Sequence, residues 1–305
     1  MSESPVPSRI VSHRTAYALL GLVIVLWGAN WPVMKIGLYW MPPLTFAATR
    51  LVLGAATMFL VNAVTGSLAM PVREDWPLVV GIGLMQMGGF LALVIFGLQY
   101  VPAGRSAILA YTTSLWVVPM ASLFLGERLS GLRLLGFLLG IGGVLVLFNP
   151  FGFDWSDPDV ILGNGLLLTA ALLWAIQIVA VRGRHMRGSP LALAPWQFTI
   201  GAVVLVPLAL TMEWGRAIDW TPGLVAVLVY NGPVATAFGF WAVITFTRSL
   251  PAITTSLATL GVPVFGMALA AVALGETLTA TNLLGLGLIL AGVACVTLAG
   301  RRERR

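Results

Sequence analysis

PAGRSAILAYTTSLWVVPMASLFLGERLSGLRLLGFLLGIGG, from Pro102 to Gly143, returns in altered form as PAITTSLATLGVPVFGMALAAVALGETLTATNLLGLGLILAG, from Pro251 to Gly292. At a constant spacing of 149, Pro102, Ala103, Gly126, Glu127, Leu129, Gly136 and Gly143 meet Pro251, Ala252, Gly275, Glu276, Leu278, Gly285 and Gly292. A shared register without a gap over this length is an internal repeat. Each copy is an apolar segment, a Gly-Glu-x-Leu connector and a second apolar segment, so both arms have the character of membrane spans.

Working outward, the whole chain has that character. Its 305 residues are 59% hydrophobic and 9% charged, with mean hydropathy +0.96. A soluble domain carries roughly a quarter of its residues charged and has no way to hide this much apolar surface. Ten apolar runs are marked, at about 16–38, 44–64, 77–98, 104–125 and 131–148, then 160–181, 191–211, 222–247, 253–273 and 280–299. Their unbroken Leu, Ala and Gly texture predicts helices, since the alternating segments of a membrane barrel are absent. The expected fold is all-α and integral to the membrane, with ten transmembrane helices in two five-helix repeats, 1–149 and 150–305, forming one transport domain. Five spans per repeat is odd, so the halves are expected to enter the membrane from opposite sides, inverted relative to each other.

Charge placement agrees with that inversion. With the amino end inside, the inner segments hold thirteen of the 17 basic residues, including Arg73, Arg128, Arg182, Arg184, Arg187, Arg248 and the tail arginines. The outer loops hold Asp154, Asp157, Asp159, Glu213 and Asp219, with Arg216 the clear exception. Both termini are therefore expected in the cytoplasm. The same placement accounts for the net charge of +6 without nucleic acid: the arginines are topology signals and contacts to anionic lipid.

Several classes have no support. The connectors are too short for an ATPase, and no Gly-x-x-x-x-Gly-Lys-Ser/Thr loop occurs. His13, His185 and the single cysteine, Cys295, form no metal-ligand or nucleophile constellation, so neither an enzyme, a metal site nor a cofactor is expected. No acidic residue falls deep within a span, which disfavours coupling through a buried carboxylate.

Trp27-Gly28-Ala29-Asn30 in the first span, Arg50 in the second, the Pro-Ala connector at Pro102 and Gly126-Glu127-Arg128-Leu129 together resemble the EamA-type half of the drug/metabolite transporter superfamily. Trp174-Ala175, Arg248-Ser249-Leu250-Pro251-Ala252, Pro263 and Gly275-Glu276-Thr277-Leu278 repeat the pattern in the second half. Within that superfamily the chain is similar to the YddG-type exporters of aromatic and other amino acids. The resemblance implies a carrier of the bacterial inner membrane that exports a small metabolite through a central cavity lined by both halves.

Candidate residues follow from the cost of polarity in lipid. Trp27, Asn30 and Met34 share one face of the first helix, and an unpaired amide there is costly. Arg50, six residues into its span, needs water, a carbonyl or an anion, so it either snorkels to the outer face or meets a substrate carboxylate. Gln86, Gln177 with Trp174 one turn away, and Gln197, which stands where the first half has Arg50, are amides inside apolar runs. They serve as interhelical links or as directional contacts to a solute. Tyr111, Tyr230 and Trp241 complete the expected substrate cavity.

Glu127 and Glu276 read as turn and helix-start devices rather than proton relays. Gly136, Gly143, Gly285 and Gly292 read as close-packing seams. Pro119 and Pro263 are expected to kink their helices at different depths. A small-molecule substrate and membrane lipids are the expected partners, and a monomer or weak oligomer the expected assembly. Exporters of aromatic or cationic toxic compounds and a non-transporting membrane scaffold stand as alternatives.

Overall fold

In the computed structural model of the chain, residues 11–126, 131–148, 156–181, 184, 186–250 and 258–302 are described. Glu127, Ser130, Pro251 and Ala252 lie outside them.

Among the described residues the longer helical segments are α1 (His13–Gly37), α2 (Pro43–Val64), α3 (Trp76–Tyr100), α4 (Ala103–Leu125), α5 (Gly131–Phe148), α6 (Pro158–Val181), α7 (Pro190–Met212), α8 (Pro222–Ser249), α9 (Gly261–Leu274) and α10 (Ala280–Arg302). Seven of them are long and apolar enough to cross a membrane; Leu134–Leu147, Gly261–Leu274 and Ala280–Cys295 are shorter apolar stretches. No strand occurs among the described residues. Helix starts are marked by residues suited to a hydrated end: Ser12, Ser189 and Thr221 accept from the amides of Thr15, Ala192 and Leu224, and Pro190 and Pro222 occupy the first helical positions. Gly126 and Gly275 close α4 and α9 in the left-handed conformation, φ 65° and 68°, which a Cβ would oppose.

The third and eighth segments each contain a nine-residue π-helical stretch, Ile82–Phe90 and Tyr230–Phe238. Such wide turns are rare and concentrate at functional sites. Breaks in α4 and before α9 also correspond, at Tyr111–Thr112 and at Leu260. The unequal kinks expected from Pro119 and Pro263 are not what divides these spans. Pro263 is the third residue of α9, where a missing amide breaks no helical bond, and Pro119 is carried inside the second segment of α4.

Packing between segments is reciprocal. α1 lies on α9 while α6 lies on α4, the π stretch of α8 lies on α2 while that of α3 lies on α7, and α2 pairs with α7 and α5 with α10. Gly136, Gly143, Gly285 and Gly292 lie buried in the α5–α10 seam. A Cβ on Gly292 would stand 2.5 Å from the Gly136 carbonyl and 2.7 Å from the Gly140 nitrogen.

Three carboxylates join the two halves through backbone amides at helix beginnings. Glu213, beyond α7, accepts from Leu44 N (3.0 Å), Thr45 N (2.8 Å) and Thr45 Oγ1 (2.8 Å) at the start of α2. Asp75, ahead of α3, accepts from Arg187 N (2.9 Å) and Gly188 N (2.8 Å) before α7. Glu276, between α9 and α10, accepts from Ala103 N (2.5 Å) and Gly104 N (2.9 Å) at the start of α4. Each places negative charge where the helix dipole and the unpaired amides favour it.

Candidate functional site

The polar residues of α1, α2 and α8 meet around the wide turn of α8. Its extra residue per turn directs neighbouring side chains toward different helices. Tyr230 donates its hydroxyl to the Leu26 carbonyl of α1 at 2.6 Å, and the Trp27 indole donates to the Ala235 carbonyl at 2.9 Å. Arg50 does not snorkel to the outer face. Its Nε donates to Thr236 Oγ1 at 2.8 Å, and its Nη1 lies 2.9 Å from the Met34 sulfur. Thr236 passes the bond on, donating to the Asn231 carbonyl at 2.7 Å. Among the described residues no carboxylate pairs with Arg50. A thioether is a weak acceptor, so the guanidinium keeps donors for an anion.

The matching region of the second half is built from amides instead of a cation. Trp174, Gln177 and Gln197 each stand 147 residues after Trp27, Asn30 and Arg50, so the three kinds of position recur in the same order. Trp174 packs its ring edge-on to Phe90 of the π stretch in α3, with centroids 4.4 Å apart. Gln177 and Gln197 are buried, and Gln197 Oε1 has no partner among the described residues. Gln86 lies half-buried in the same π stretch. Tyr111 sits at the break in α4, and Trp241 lies 5.4 Å from Phe238, further along α8. Thus Trp27, Met34, Arg50 and Tyr230 form one bonded group, with Asn30 on the same face of α1. Trp174, Gln177, Gln197 and Gln86 belong to the α3–α6–α7 side; Trp241 packs on the same α1–α8 apolar cluster as Trp27, and Tyr111 packs on the main core.

Two further residues complete the first group, Thr236 and Asn231. Thr236 carries no signal in one dimension, since a threonine in an apolar run is ordinary; its part becomes visible only when α8 is laid on α2. A separate cleft of about 300 Å³ opens where α1, α3 and α9 end and α4 begins, bordered by Lys35, Tyr39, Tyr100, Pro102, Leu274 and Glu276. There Lys35 Nζ donates to the terminal carbonyls of α3, at Leu98, Gln99 (3.4 Å) and Val101 (3.0 Å). The recurrent Glu276 is thus a helix-start device as expected, but it serves the start of α4 in the other half and not its own connector.

The family model described as "EamA-like transporter family" matches this chain twice, over residues 14–149 and 161–298. The chain belongs to the EamA-like transporter family. Among relatives of this EamA-like transporter, a "Probable amino-acid metabolite efflux pump" of Salmonella typhimurium is 31% identical over 97% of the chain and 98% of its own length. A "Probable terminal-alkyne amino-acid exporter" of Streptantibioticus cattleyicolor is 27% identical over 95% of the chain and 96% of its own. The "Uncharacterized transporter YoaV" of Bacillus subtilis is also 27% identical, over 94% and 98%. A solved crystal structure at 25% identity superposes with TM-score 0.65, covering 96% of this chain and all of the other. With its apolar helices, this EamA-like protein is a multi-pass membrane transporter.

Proposed function

We propose that the protein exports amino acids across the bacterial inner membrane by alternating access, with ten spans in two inverted five-helix halves and both termini in the cytoplasm. The observation that carries the substrate class is Arg50: a cation without a carboxylate partner among the described residues, held between α1, α2 and α8. A guanidinium fixed through Nε presents its remaining donors as a fork, which suits a carboxylate. It repels a cationic drug, which sets the alternative of a toxic-cation exporter lower. Reciprocal packing, paired π stretches and the arginine-rich inner segments support the inverted arrangement. The relatives named for amino-acid efflux point the same way.

Counterflow of radiolabelled amino acids into proteoliposomes tests this reading. Uptake of amino acids is the expected result; no uptake of any amino acid beside robust uptake of another solute class would refute it. The variant Arg50→Gln is expected to raise KM for amino acids roughly tenfold to a hundredfold, the scale of a lost charge-assisted hydrogen bond. Unchanged affinity and rate in that variant would remove Arg50 from the site.

A further inference from the structure

Next to Arg50 lies an acceptor that no described residue uses. Asn231 is fully buried, and its Nδ2 donates to the Val227 carbonyl at 3.1 Å. A backbone carbonyl only accepts, so this bond fixes which end of the amide is nitrogen and leaves Oδ1 as the open end. That oxygen has no partner among the described residues. Tyr230, the residue before, reaches α1 at Leu26, while Gly232, the residue after, lies against Leu53 and the Arg50 backbone in α2. Asn231 therefore stands on α8 between a residue that reaches α1 and one that packs on α2.

On α1, Asn30 lies on the stripe that meets Tyr230 and Arg50. It stands four residues from Leu26, which holds Tyr230, and four from Met34, which touches Arg50, so the three form one stripe of the helix. Its exposure is only 6%, and its Oδ1 also lacks a partner among the described residues. Thr236 ties the main chain of Asn231 to the cation: its hydroxyl accepts from Arg50 Nε and donates to the Asn231 backbone carbonyl, so the guanidinium and the backbone that carries this asparagine are two hydrogen bonds apart. The region where α8 packs on α1 and α2 thus holds donors at Arg50 and unpaired acceptors at Asn231 and Asn30. A buried acceptor left unpaired is costly, and a donor that arrives with the substrate removes that cost.

We propose that Asn231 Oδ1, with Asn30 Oδ1 on the facing helix, accepts the ammonium group of an amino acid whose carboxylate rests on Arg50. The inference rests on the amino-acid reading above and deepens it: the site selects zwitterions over acids that lack the amine. Neutral amide oxygens suit this task beside an arginine, because a carboxylate in their place would pair with Arg50 and fill the anion site.

Transport of leucine, phenylalanine and threonine, each compared with its 2-hydroxy acid, tests the proposal in proteoliposomes. The native protein is expected to prefer the amino acid. Asn231→Leu is expected to raise KM for the amino acids roughly tenfold to a hundredfold and to weaken the hydroxy acids less, since their hydroxyl donates one neutral bond in place of an ammonium's charged ones, which collapses the preference. A merely structural role for Asn231 would weaken both classes alike, and that result, or an unaltered preference, overturns the inference. If Asn231→Leu does not assemble, Asn30→Ala carries the same comparison: a collapsed preference supports the inference, and an equal loss in both classes or an unaltered preference overturns it. Arg50→Gln is expected to weaken both classes, since both carry the carboxylate. Native protein that moves amino acids without preferring them over hydroxy acids overturns this inference alone, whereas failure to move any amino acid overturns the amino-acid reading as well.

Discussion

Glu213→Ala is expected to lower the unfolding free energy by about 3–4 kcal/mol, as the loss of a buried carboxylate that holds three donors. The side chain is buried, and its two oxygens take Leu44 N, Thr45 N and Thr45 Oγ1. Alanine leaves those donors at the start of α2 facing a space that water enters poorly, and it removes the charge that complements the helix dipole. Glu213→Gln keeps one acceptor oxygen and loses the charge, so it should fall between alanine and the native protein. The control is Glu74, whose ion pair with Arg187 at 3.2 Å is more than half exposed on both sides. Glu74→Ala is expected to cost at most about 1 kcal/mol. Melting of the purified protein in detergent orders the variants; if Glu213→Ala melts with Glu74→Ala, the carboxylate is not a clamp.

The second large effect is steric. Gly292→Leu is expected to drive α5 and α10 apart, because the first added carbon would meet the backbone of Gly136 and Gly140 inside contact distance. Backbone has no alternative rotamer, so the helices must separate and lose the dispersion contacts that hold them in lipid. Overpacking of this kind costs about 1–3 kcal/mol where side chains yield, and more where only backbone can move. Gly143→Leu should behave alike, since a Cβ there meets the Gly285 carbonyl at 2.8 Å. Gly142 and Gly287 lie on the same helices with nothing within 4 Å of an added Cβ. Alanine at those two positions is expected to be neutral or to stabilise by up to about 1 kcal/mol through helix propensity. Melting midpoints of the four variants separate a seam from a general intolerance of substitution: similar losses at all four would contradict the seam.

Helical class is legible in the sequence because it is written locally, in uninterrupted apolar runs and in the prolines, serines and glycines at their ends. Run edges differ from the helices by a few residues at most positions; the expected start near 253 lies outside the described residues, which resume in helix at 258 and 259, ahead of the break at Leu260. The repeat is legible because its connector is short and keeps register. The roles of Asp75 and Glu213 are not, since an acid in a loop looks like a topology signal until its amide partners, more than a hundred residues away, are brought beside it. Glu276 resembles a turn device for the same reason, because its partners at Ala103 and Gly104 belong to the other half. Arg50 is visible as costly, but its direction is not: the choice between snorkelling outward and pointing inward depends on Thr236, which α8 supplies from the other half. The π stretches leave no mark either. Ile82–Phe90 and Tyr230–Phe238 have unlike sequences, and a wide turn depends on the packing around it more than on its own residues.

The long-range caps also set an order of events during synthesis. The first turn of α2 is bonded by a carboxylate 169 residues further along the chain. At about 5–20 residues per second, the ribosome delivers Glu213 roughly 10–30 s after α2 itself has been made. Through that interval the amides of Leu44 and Thr45 must be served by water or by the insertion machinery. The start of α2 is therefore capped only once the residue that follows α7 has been made.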